Sequence, residues 1–156
     1  MNYTFLTKKR LSIFSFFLLF LLHFACSSES ESPKEPELSE RELLYKQVME
    51  VHDAVMPKMS DLNRIKRQLK DKLEENAVTD KEMKSQMNLN IDELIAAENS
   101  MMDWMKAFKV PKKDDPDKEV IVYLNEEKLK IERVSDQMLS SLQNGTKLLA
   151  KLAKSE

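Results

Sequence analysis

The sequence predicts an all-α protein, an elongated three-helix up-down-up antiparallel bundle that follows a disordered tether. Three observations lead there. The chain has one glycine in 156 residues, and three of its five prolines, Pro57, Pro111 and Pro116, fall where helices are expected to bend, end or begin. Between them Leu, Met, Lys, Glu, Gln and Ala dominate, all good helix formers. From Leu44 onward apolar residues recur at threes and fours, which places them on one face of a helix. Nothing alternates with the period of two that a strand would need.

The first helix, about 39–76, should start at Ser39, which forms a capping box with Glu42. Its stripe is Leu44, Val48, Val51, Val55, Leu62, Ile65, Leu69 and Leu73. Pro57 interrupts the stripe and should kink the helix, because it lacks an N–H and its ring clashes with the preceding turn. A hairpin turn near Ala77 and Val78 leads to a second helix, about 79–109, with Thr79 and Glu82 as its capping box. Its stripe runs Met83, Met87, Ile91, Leu94, Met101, Met105 and Phe108, and Pro111 with the run KKDDPD ends it. The third helix, about 116–154, should be capped by Asp115 with Pro116 at its first position. It carries Val120, Leu124, Ile131, Val134, Met138, Leu142, Leu149 and Leu152. Gly145 lies inside it at a cost of roughly 1 kcal/mol relative to alanine, unless a close helix contact needs its small size. At 1.5 Å per residue each helix would span about 45–55 Å. The bundle thus occupies 39–156.

The segment ahead of the bundle has a different chemistry. Lys8, Lys9 and Arg10 precede an apolar run from Leu11 to Ala25, which ends at Cys26, the only cysteine. The run is short for a spanning helix and fits the apolar region of an export signal. The arrangement resembles a bacterial lipoprotein signal, with His23 and Phe24 in place of the usual aliphatic and small residues. That resemblance implies cleavage after residue 25 and acylation of Cys26, with palmitate as an expected chain. A plain cleaved signal peptide is the alternative. A single cysteine forms no intramolecular disulfide, so acylation would also explain one cysteine in an exported chain. Residues 26–38 then form the lipidated cysteine and an acidic tether. Its SSESESPKEPE contains nothing to bury, and it serves either as a spacer or as a surface-export address.

Three of the 25 basic residues and none of the 27 acidic ones lie in the export segment, so the remainder carries a net charge of −5. No basic stripe stands out, which argues against nucleic acid as a partner. One glycine rules out a Gly-rich phosphate loop, and His52 is the only histidine after residue 25. No catalytic constellation emerges, and an enzyme is not expected.

Methionine is the unusual feature. Eight of the ten lie between Met49 and Met105. Met49, His52, Met56 and Met59 share an arc of roughly 80° on the first helix, and Met101, Met102 and Met105 form a second patch. A turn near residue 77 puts His52 level with Asp103, so the two patches fall at the same height. Thioether sulfur is a soft neutral ligand that selects Cu(I) or silver, and imidazole also suits copper. The competing readings are core packing by a flexible side chain and a Met-rich groove for a protein partner. Trp104 beside this patch reads as a boundary anchor.

Two acids sit inside apolar stripes, Glu98 on the second helix and Glu127 on the third. A turn near Asp114 makes them almost level and about one turn from His52 and Met56. They would then form a buried polar layer, with Lys128 or Arg133 supplying charge. A wet bundle edge is the alternative, and a His52, Glu98, Glu127 site for a harder metal is a minor one.

HDAVMPKM (His52 to Met59) followed by the Met-Met-x-Trp-Met patch (Met101 to Met105) resembles small helical lipoproteins of Bacteroidota often labelled "viral A-type inclusion protein". The resemblance covers most of the chain after residue 25. It implies a helical body on a lipid anchor and transfers no catalytic residue. The expectation is a non-enzymatic lipoprotein of the cell envelope, with the outer membrane preferred over the inner and its face undecided. It would have a structural or protein-interaction role, with Cu(I) or silver binding as the alternative.

Overall fold

The computed structural model describes residues 38–75 and 79–154. The export segment, Cys26, the tether and the turn at Ala77 and Val78 lie outside the described residues. Leu38–Glu156 forms one compact unit. It contains α1 (Glu40–Val55), α2 (Lys58–Glu74), α3 (Lys81–Ala107) and α4 (Asp117–Leu152), with no strand among the described residues. None of these helices is long and apolar enough to cross a membrane.

Local chemistry sets each boundary. Ser39 donates its backbone N–H to the Glu42 carboxylate at 2.9 Å, closing the capping box that opens α1. Pro57 then divides the first predicted helix. The last bond of α1 runs from the Met56 N–H to the His52 carbonyl at 2.8 Å. Met56 and Pro57 nevertheless keep right-handed helical dihedrals, so the chain bends without reversing and α2 continues the same arm.

Three predicted ends are corrected. Asp80, not Thr79, caps α3, because its carboxylate accepts the Met83 N–H at 2.7 Å, and Glu82 bonds Gln86 instead of closing a box. α3 stops at Ala107, since Phe108 turns to extended backbone and the Lys109 N–H is taken by the Tyr123 hydroxyl at 2.8 Å. Asp115 accepts the Lys112 N–H within the loop, which leaves Pro116 in the cap position and Asp117 as the first residue of α4.

The helices run up, down and up. Arg41 at the start of α1 pairs with Asp117 at the start of α4 at 2.6 Å, and His52 of α1 meets Trp104 near the end of α3. α2 packs on both α3 and α4, whereas α1 packs its backbone closely on α4 and stays farther from α3. The core is a single apolar column in which Val48, Leu62, Leu69, Met87, Leu94, Met101, Leu124, Ile131 and Met138 are fully buried. Burial of one such side chain is worth roughly 1.5–3 kcal/mol, so the apolar stripes hold the arms together.

Gly145 marks a close approach of the helices. A Cβ there would lie 2.6 Å from Ile65 Cγ2 and 3.4 Å from Leu94 Cδ1. The glycine is what lets α2 and α3 close on α4 at this level.

Candidate functional site at the helix kink

The wider separation of α1 and α3 is bridged by large rings. Tyr45 and His52 reach from α1, Trp104 and Phe108 from the end of α3, and Tyr123 from α4. Centroid separations are 6.4 Å for Tyr45–Phe108, 4.9 Å for Trp104–Phe108, 6.1 Å for Phe108–Tyr123 and 5.7 Å for His52–Trp104. Burial raises the Tyr123 hydroxyl above its ordinary value, which keeps it a neutral donor or acceptor at the end of this stack.

His52 is oriented by its neighbour: its Nδ1 lies 2.8 Å from an Asp53 carboxylate oxygen. A carboxylate can only accept, so Nδ1 carries a proton in this contact, and in the neutral ring the lone pair then falls to Nε2. Nε2 makes no hydrogen bond among the described residues. Trp104 is 7 % exposed, and its indole N–H has no partner among them either, so packing alone holds the ring.

The sequence-predicted metal residues separate into two groups. Met101 is fully buried, and Met56, Met59 and Met105 are half-buried against the core. Met102 is 51 % exposed, and Met49 stands apart from the core cluster. His52 meets Trp104, one residue from the level expected at Asp103. The part of Trp104 was missed in the sequence, although its spacing of three from Met101 and four from Phe108 already put it on the buried face.

The joint polar layer is a correction. Glu98 bonds Lys66 and, at 3.1 Å, Asn63, both on α2 beyond the kink. Glu127 is 5 % exposed and pairs with Lys130 of its own helix at 2.7 Å. Lys128 and Arg133 take no part, since they bond Gln47 and the Leu129 carbonyl. Phe108 faces Tyr123 and Leu94 faces Gly145, which puts Glu98 about two turns or more along α4 from Glu127. Extended residues after Phe108 advance roughly 3.3 Å each against 1.5 Å in a helix, so equal counting on both sides of the loop misplaced α4. His52, Glu98 and Glu127 do not come together, and no group of three or more His, Cys, Asp or Glu side chains is placed to hold a metal among the described residues.

The Glu98 carboxyl is held below its ordinary value by the Lys66 ammonium, opposed by partial burial and helped by Asn63. At the start of the bundle an open cleft of about 460 Å³ is lined by Arg41, Tyr45, Val110, Val120 and Leu124. Its Arg41 guanidinium is already engaged by Asp117 and by the carbonyls of Lys112 and Asp115.

The chain matches no protein-family model, no curated protein and no solved structure.

Proposed function

We propose that this chain is a lipid-anchored helical module of the bacterial cell envelope that acts by binding, as a structural or protein-interaction lipoprotein. The observation that carries the reading is the single cysteine, Cys26, at the end of an apolar run that follows Lys8, Lys9 and Arg10. An acyl chain on Cys26 would tie the helical body to a membrane, and the acidic stretch before Leu38 would set its distance from it. One acyl chain alone binds a bilayer only reversibly, so stable anchoring calls for more than one on this cysteine.

The test is fractionation. Expressed in a Bacteroidota host, the chain should sediment with membranes and be released by detergent. Cys26→Ser should shift it to the soluble fraction or leave the unprocessed precursor. Processed Cys26→Ser protein that remains in the membrane would reject the anchor.

One observation favours a second reading, in which the body holds a soft metal cation. The His52 ring is oriented by Asp53 against Trp104 with Nε2 unbonded, beside half-buried methionines. Metal-bound histidines usually have this kind of carboxylate partner on their other ring nitrogen.

A further inference from the structure

We infer that His52, Met56, Met101 and Trp104 form one site for a soft monovalent cation, Cu(I), where α1 faces the C-terminal part of α3. The assignment rests on the soft-metal reading and goes beyond it by selecting the ligands.

The placement follows from two helices running in opposite directions. Met56 lies one turn beyond His52 on α1, with helical geometry intact between them. Met101 lies one turn before Trp104 on α3. Because α1 and α3 are antiparallel, both steps move the same way along the bundle. The His52–Trp104 contact at 5.7 Å therefore brings Met56 and Met101 to a common level just beside it.

The chemistry of the set is coherent. The Asp53 carboxylate takes the Nδ1 side of the His52 ring, which leaves Nε2 of the neutral imidazole as the donor nitrogen. Two neutral thioethers complete a soft donor set that suits Cu(I) and discriminates against hard cations. Met101 is fully buried, so its sulfur would meet the ion away from water, where the bare charge is most in need of ligands. The Trp104 ring packs against His52 at 5.7 Å, so an ion held by the imidazole would lie beside an aromatic surface. Met49 and Met102 are set aside because one stands off the core and the other is exposed.

Trp104 is the only tryptophan in the chain, so its fluorescence reports on this site alone. The experiment is an anaerobic Cu(I) titration of the purified full chain against bathocuproine disulfonate, with Ag(I) as an air-stable check. Every variant carries Cys26→Ser, so that no thiolate competes. A single equivalent should quench Trp104. Met56→Leu with Met101→Leu should weaken binding at least tenfold while the far-UV circular dichroism is unchanged, because leucine conserves volume. His52→Gln should do the same, and Met49→Leu with Met102→Leu should leave affinity and quenching intact. Binding that depends on Met49 and Met102 and leaves Trp104 unquenched would overturn this site and leave the soft-metal reading standing. No binding tighter than that of the Met56, Met101 leucine variant would overturn both.

Discussion

At the scale of single residues, two positions show how packing reverses a propensity argument. In an isolated helix Gly145→Ala gains roughly 1 kcal/mol. Here the new Cβ would stand 2.6 Å from Ile65 Cγ2, a methyl fixed to a β-branched, buried side chain with little freedom to move. Gly145→Ala should therefore lower stability by about 1–2 kcal/mol net, read from the midpoint of a urea unfolding curve. Trimming the neighbour as well, in Gly145→Ala with Ile65→Val, leaves the clashing methyl in place and should not rescue it. Ile65→Ala should restore space, at the expense of a cavity elsewhere. Glu127 makes the opposite case, a carboxylate at a buried position whose cation among the described residues, Lys130, is half exposed. Leucine there removes a desolvation penalty, so Glu127→Leu should hold or raise the melting temperature. Lys130→Ala should lower it by leaving the buried charge unpaired. Glu127 was legible from its place in the apolar stripe. The Gly145 contact was not, because it depends on where a neighbouring helix lies and not on the residue's own helix.

At the scale of elements, the four helices follow from short-range rules acting on named residues. Ser39 with Glu42, the bend at Pro57 and the apolar stripes could all be read along the chain. The caps of α3 and α4 could not be read reliably, because Thr79 and Asp80 compete for one role and Asp115 has a closer donor in Lys112. The offset between α3 and α4 was illegible for a related reason, since it depends on how far an extended loop travels. The Lys66–Glu98 pair joins α2 to α3 just past the kink, and it carries a pH signature. Lys66 holds the folded Glu98 carboxyl below its ordinary value of 4.5, so its contribution to stability is complete above that value. The contribution is lost as pH falls through the lower folded value. Thermal melts between about pH 6 and pH 3 should show Glu98→Gln losing less stability on acidification than the parent chain. Equal losses would mean that the pair does not stabilise the α2–α3 junction.

At the scale of the whole molecule, fold and function draw on different parts of the chain. The helical body is written in a periodicity that repeats from Leu44 to Leu152, which is why it could be read so fully. The proposed address rests on one cysteine and the fifteen-odd residues before it, a local signal with no helical periodicity to support it. The ligand set lies between these limits. The spacing of Met49, His52, Met56 and Met59 put four proposed donors on one side of a helix, and only the packing of the helices separates Met56 and Met59, which pack on the core, from Met49, which does not. The central claim, that this body is displayed on a lipid anchor, is tested most directly by the intact mass of the chain extracted from membranes of its host. Lipid anchoring at Cys26 predicts a polypeptide that begins at this residue and carries the added mass of fatty acyl chains on it. A chain that begins at any other residue, or that begins at Cys26 without acyl mass, would contradict it.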